Sequence, residues 1–399
     1  MVPFRILSAL LVSILLIVSS SSVCAKPLTP HWKRDIGRYI RIGYPGRPKS
    51  SSINVKKRAT TCNGSSDLCN RLYSNVTFAG AHNSYAIANG AGGLASNQNV
   101  SLAGQLNAGI RLLQSQAHNS TNQTASGAGI DLCHTSCSIF QGGSLEYYLG
   151  QVKSWVDANP TEVVTLLIVN SDGSPPSKFA QAFESTGLVS KMYQPSSGTI
   201  SRNSWPTLGS MVDSGRTVVG FLSTEADFQS VNYLLDEFSN VWETPFGQTQ
   251  TPFNCSIDRI GQSVTDSSQL MYLSNQFLDQ SLFGGSGSSS SGSSGDALTT
   301  PDTDALGTTN SVDTTLSTSY TCASEHNNVN PNFILTDYST TPSYSFMRGV
   351  AQLNGVNYTA PSSSEEGGAS GGSSGSSASS LPSHVLGAAV VMLAALFII

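Results

Sequence analysis

Phe78-Ala79-Gly80-Ala81-His82-Asn83-Ser84-Tyr85 is the stretch on which the reading of the fold turns. A short apolar lead, Val76 to Ala81, runs straight into a histidine beside small polar residues. An apolar run this short fits a buried strand better than a helix. In parallel α/β folds the working side chains stand where strands give way to loops. His82 is therefore a candidate for chemistry, set against the plainer alternative of a structural histidine at a strand end.

From this strand onward, apolar runs alternate with helical stretches. Ser101–Ala108 reads as a short helix. Gly109–Leu113 reads as a second strand continuing through Gln114 and Gln116 to His118, and Gly129–His134 as a third. Ser144–Asn159 carries the clearest helical pattern. Leu145, Tyr148, Leu149, Val152, Trp155 and Val156 recur at three and four residues and so share one face. Ser144 caps its start and Pro160 stops it. Glu162–Val169 is a continuous apolar, β-branched run, the pattern of a central parallel strand covered on both faces. Ser177–Phe183 and Leu208–Asp213 read as helices, and Thr217–Leu222 as a fifth strand. Tyr233–Trp242 and Gln269–Asn275 read as the sixth and seventh elements and Asn332–Tyr338 as the last strand. About eight parallel strands with helical crossovers predict an α/β fold, a (β/α)8 TIM-type barrel with imperfect closure allowed. An open doubly wound sheet is the alternative. No glycine-rich dinucleotide or phosphate fingerprint follows the first strand to favour it.

The two ends of the 399-residue chain read as processing signals. Residues 1–25 combine Arg5, an apolar core and a Val23-Cys24-Ala25 cleavage pattern, the layout of a secretory signal peptide. Residues 26–58 are basic, with dibasic pairs ending at Arg58, and read as a pro-segment. The barrel domain is expected over 59–360, with a Gly/Ser-rich insertion at 284–296. Residues 361–384 form a Ser/Gly-rich stalk, and 385–399 an apolar tail with no basic residue after it. Together they match a GPI-attachment signal, which places the protein at the cell surface, on the outer leaflet or in the wall.

Without residues 1–58 the chain keeps nine basic and twenty-four acidic residues, formally −15. Such a body repels nucleic acid, which is excluded as a partner. The six remaining cysteines are even in number, which in a secreted chain argues for disulfides. Proximity in sequence pairs Cys62 with Cys69, Cys133 with Cys137 and Cys255 with Cys322. Zinc held by Cys133, His134 and Cys137 is the alternative, although the usual four-ligand spacing is missing. Asn63, Asn75, Asn99, Asn119, Asn122, Asn254 and Asn357 head Asn-x-Ser/Thr glycosylation acceptors, in keeping with the same compartment.

The chemistry is expected at two histidines on the ends of neighbouring strands, His82 and His134. A pair of imidazoles flanking one phosphodiester can take a proton from a nucleophile and give one to the leaving oxygen. Asp337, at the end of the last strand, lies beside the first strand if the barrel closes, and there it can orient His82. The competing readings are a strand-end turn residue for Asp337 and a disulfide-loop histidine for His134.

As an ordered set, several pieces resemble the phosphatidylinositol-specific phospholipase C-like phosphodiesterases, in particular secreted fungal, GPI-anchored members. These pieces are Gly80-Ala81-His82-Asn83-Ser84, Gln105-Leu106-Asn107-Ala108-Gly109-Ile110-Arg111, His134, the 145–159 helix and Asn159-Pro160-Thr161-Glu162-Val163-Val164. The resemblance implies a (β/α)8 barrel and attack by an inositol hydroxyl on phosphate to give a cyclic phosphodiester. It makes His82 the general base and His134 the general acid. The substrate it implies is a phospholipid or inositol-type phosphodiester, with Asn83, Gln114 and Gln116 against it and no cofactor or bound metal. Where relatives carry an acid and an arginine, or two acidic calcium ligands, this chain has Gln114 and Gln116. The activity expected is phosphoric diester hydrolysis. The alternative is a catalytically silent barrel serving as a surface or wall binding protein.

Overall fold

A computed structural model describes residues 58–88, 95–120, 127–281 and 299–361. The expected signal peptide, all of the pro-segment but Arg58, the Gly/Ser insertion, the stalk beyond Pro361, the apolar tail and Asn122 lie outside the described residues.

The strands are β1 (Phe78–Ala81), β2 (Leu112–Asn119), β3 (Ile130–His134), β4 (Phe140–Ser144), β5 (Val164–Asn170) and β6 (Val218–Leu222), then β7 (Leu234–Asp236), β8 (Val241–Glu243), β9 (Met271–Asn275), β10 (Asp279–Ser281), β11 (Thr299–Pro301) and β12 (Phe333–Thr336). The α-helices are α1 (Leu102–Asn107), α2 (Leu145–Ala158), α3 (Pro176–Ser185), α4 (Leu208–Ser214), α5 (Leu306–Thr309), α6 (Val312–Glu325) and α7 (Ser345–Leu353). Eight strands of a ten-stranded sheet follow the order β7-β6-β5-β2-β1-β12-β9-β8. Each neighbouring pair in that order runs parallel. The first and last strands of the domain are adjacent, Ala81 opposite Thr336, so the sheet curls as a (β/α)8-type barrel. Its seam falls between β7 and β8, which stand at the two ends of the hydrogen-bonded path.

Two parts of the strand reading are corrected. Gly129–His134 reads from sequence as one of the parallel staves, but β3 pairs antiparallel with the far half of β2 and carries β4 on its other edge. Only ten residues separate β2 from β3, too few for a parallel crossover, which needs a dozen or more. Tyr233–Trp242 is not one element but two staves, β7 and β8, joined by a tight turn in which Val241 N–H donates to Glu237 O. Eight parallel strands result, from a different set.

Alternation along the staves divides the core into two layers. Ala79, Ala81, Leu113, Leu166, Ile168 and Ile334 pack outward with α2, α3 and α7. Phe78, Leu112, Leu167, Phe221, Leu273, Phe333 and Leu335 fill the interior. Gly80 stands where a side chain has no room, because a Cβ there would lie 2.9 Å from both Ile334 O and Leu112 Cδ2. Toward the amino-terminal pole the interior is closed by rings. Tyr73 lies 4.9 Å from Trp205 and 5.1 Å from Phe78, and its hydroxyl is 2.6 Å from Thr165 Oγ1.

The α2 helix forms as its pattern predicts, with all six apolar-face residues buried. Ser144 Oγ accepts from Tyr147 N–H at 3.2 Å as the cap. Ser144→Ala is expected to cost about 1 kcal/mol, read as a lower denaturant midpoint with an unchanged slope. The disulfides Cys62–Cys69, Cys133–Cys137 and Cys255–Cys322 form as paired from sequence.

Candidate active site

The carboxyl ends of β1 and β12 bring His82 and Asp337 together. His82 Nδ1 lies 2.9 Å from Asp337 Oδ1, with Asp337 almost wholly buried. A carboxylate only accepts, so the proton sits on Nδ1 and the Nε2 lone pair is left to take another. Asn97, in the loop after β1, donates from Nδ2 to the same Asp337 oxygen at 2.8 Å and fixes the carboxylate. Gln98 Nε2 ties the His82 carbonyl to that of Thr336. Phe277, just past β9, stacks flat on the imidazole at 4.2 Å. The ring is thus held at both nitrogen-bearing edge and face, which restricts its rotation. Asp337 therefore meets His82 at the strand ends, where the sequence expects the two to meet if the barrel closes.

Asn83 adopts a left-handed backbone (φ 39°) immediately after His82. Gln114 Oε1 accepts its N–H at 2.6 Å, and its Nδ2 lies 3.2 Å from His82 Nε2. The strained turn therefore lays a carboxamide beside the nitrogen that would do the chemistry.

His134, the last residue of β3, faces His82 edge-on with ring centroids 6.3 Å apart. Its Nδ1–H donates to Ala95 O at 2.8 Å. Burial pushes its pKa below the usual 6.5; the Ala95 bond and the Asp337 charge pull upward and His82 pushes down. Cys133 and Cys137 are bonded to each other, which removes the zinc alternative.

Gln116 Oε1 accepts from Thr135 N–H at 2.7 Å, so it steadies the chain directly after His134. Gln114 and Gln116 therefore spend their oxygens on backbone amides. Arg111 is drawn to the opposite pole, where Glu162 binds it at 2.7 Å and Trp155 lies beneath it. His118 pairs with Asp172 at 3.0 Å. No arginine or lysine among the described residues bonds to His82, His134, Asn83 or Asp337. Among the glycosylation acceptors, Asn75, Asn99, Asn254 and Asn357 are exposed. Asn119 Oδ1 accepts from Ser174 and Lys178, and Asn63 Nδ2 is engaged by Val163 O at 3.2 Å.

Sequence reading missed Asn97, Phe277 and Asp279. The first two sit in loops whose approach to His82 depends on barrel closure. Asp279, two residues beyond Phe277, has its carboxyl pushed up from 3.8 to about 7 by burial and then by the Asp337 charge, with His82 opposing. The folded state holds this proton after the unfolded chain has shed it, so stability falls as pH rises from about 4 through 7. Asp279→Asn should therefore raise the melting temperature above pH 7 and leave it unchanged below pH 4, checked by thermal denaturation across that range.

The PI-PLC X domain pattern matches residues 68–347 of this chain. An uncharacterized secreted protein of Arthroderma benhamiae is 36% identical over 302 residues, 74% of this chain and 64% of that protein. The match thus spans under two thirds of that relative. A PI-PLC X domain-containing protein 1 of the same fungus is 40% identical over 225 residues, 56% of this chain and 70% of that protein. Among solved structures, the phosphatidylinositol-specific phospholipase C of Listeria monocytogenes is similar at 15% identity with a TM-score of 0.46, covering 72% of this chain and 95% of that one. With its pattern matched across the whole barrel, this chain belongs to the PI-PLC X domain family.

Proposed function

We propose that the protein is a phosphoric diester hydrolase that cleaves an inositol-type phosphodiester through two imidazoles. The observation that carries this reading is the His82–Asp337 pair at 2.9 Å facing His134 across 6.3 Å. His82 Nε2 takes the proton of the attacking hydroxyl, and Asp337 stabilises the imidazolium that results. The hydroxyl oxygen bonds to phosphorus, the ester bond to the leaving alcohol breaks, and His134 gives that alcohol its proton. Asn83 Nδ2, 3.2 Å from both His82 Nε2 and Asn97 Oδ1, would have to turn from these partners to donate to a phosphate oxygen. The reading is one of metal-independent chemistry, because Gln114 and Gln116 have committed their oxygens to backbone N–H groups. In place and setting, the protein is read as secreted, glycosylated and held at the cell surface by a GPI anchor, its lipid or head-group substrate within reach.

His134 must be protonated to act, and its pKa is pushed below 6.5. Turnover should therefore rise as pH falls from 8 toward 6, with an optimum on the acid side of neutrality. The pH profile of kcat/KM on a soluble inositol phosphodiester checks this. A profile that climbs with pH through that range would remove His134 from the acid role.

A second reading, a surface binding module without turnover, is favoured by one observation. Phosphoryl transfer leans on positive charge at the equatorial oxygens, and here no arginine or lysine among the described residues bonds to the site. Loss of one such stabiliser costs about a hundredfold or more in rate, so slow turnover is expected even if the first reading holds.

A further inference from the structure

The pole of the barrel opposite His82 holds a polar cleft of about 680 Å³, a volume in the range of small-molecule sites. Its floor is the residues that lead into β1, β9 and β12. Arg202 reaches across that floor, where its Nη1 donates to Asn332 Oδ1 at 2.9 Å and to Leu270 O at 3.3 Å. The guanidinium is thereby aimed and fixed. Its other edge has no partner among the described residues. Arg71 stands on the wall with no ion pair or side-chain hydrogen bond among the described residues. No aspartate, glutamate or lysine lines the cleft. Two arginines without a carboxylate are notable in a body that is formally −15 beyond residue 58. Burial of Arg202 lowers its pKa, which marks a cation that has lost water and gained no counter-charge.

Around the rim stand Asn203, Asn327, Asn328 and Asn330, lining the same cleft. Their side-chain amides make no hydrogen bond to described residues. Each offers a donor and an acceptor together, the pairing that suits adjacent hydroxyls. A guanidinium fork suits the planar edge of an oxyanion. We propose that this cleft binds a small oxyanion borne on a polyhydroxylated molecule, an acidic sugar in chemical class, at a site separate from the two histidines. A long polyanion is disfavoured by the charge of the rest of the surface.

The test is calorimetric titration of the full secreted chain with glucose 6-phosphate, inorganic phosphate and glucose. Arg71→Gln and His82→Ala are run beside the wild type. Arg71 supports no described side chain, so its variant should fold, and an unchanged melting temperature verifies that. The proposal expects saturable binding of glucose 6-phosphate, weaker binding of inorganic phosphate and none of glucose. It expects an affinity loss of about tenfold or more in Arg71→Gln, with His82→Ala like the wild type. Absence of saturable binding, equal affinity in Arg71→Gln, or loss in His82→Ala instead would overturn the site. Inorganic phosphate binding as tightly as the sugar phosphate would overturn the polyol part of the assignment.

Discussion

His134→Ala is expected to slow cleavage of an inositol phosphodiester with an alkyl leaving group by about 10²–10⁴-fold. The same variant should lose far less on the 4-nitrophenyl ester of the same inositol phosphate. An alkoxide cannot depart without a proton, whereas 4-nitrophenolate can, so only the first reaction needs the acid. His82→Ala should be equally damaged on both substrates, since the attacking hydroxyl must lose its proton in each. Parallel kcat measurements on the two esters read the difference. The pattern separates the roles, which His134's proximity at 6.3 Å cannot do alone. Equal damage to both substrates in His134→Ala would take the histidine out of the acid role and leave it a loop residue.

Asp337→Asn is the second large effect, a fall in kcat of about 10³–10⁴-fold. An asparagine keeps the size of the side chain but can turn its NH₂ toward His82. The imidazole then favours the tautomer with its proton on Nε2, the wrong nitrogen for a base. A merely structural role predicts something else, because Asp337 Oδ2 is buried and has no hydrogen-bond partner among the described residues. Neutralising that carboxylate removes a desolvation cost, so the melting temperature should hold or rise while activity collapses. Loss of both together would mean that the carboxylate supports the fold rather than the chemistry.

Much of this site was legible because it stands on strands. The apolar lead into His82 and the run ending at Asp337 each announce a strand and a carboxyl end, and closure of the barrel joins them. The α2 helix was equally legible, since its buried face repeats without interruption. The rest failed for identifiable reasons. Ile130–His134 has the composition of a stave, and only the short connection before it reveals an antiparallel hairpin. Helix α6, with the sequence VDTTLSTSYTCASE, is rich in serine and threonine, which are middling helix formers. Packing and the Cys255–Cys322 bond hold it where propensity alone does not. Asn97 and Phe277 reach the site from loops and Asp279 from the start of the three-residue β10, where no period marks which side chain turns inward. Gln114 and Gln116 are expected against substrate from sequence; what the sequence does not announce is that their oxygens accept the Asn83 and Thr135 backbone N–H groups.

The most direct test of the two-imidazole account is turnover of a soluble inositol phosphodiester by the purified protein, with and without a chelator, beside His82→Ala. The account predicts slow turnover in the wild type that the chelator leaves unchanged and the substitution abolishes. Turnover that survives in His82→Ala, turnover that the chelator removes, or none at all from a folded wild-type protein would contradict it.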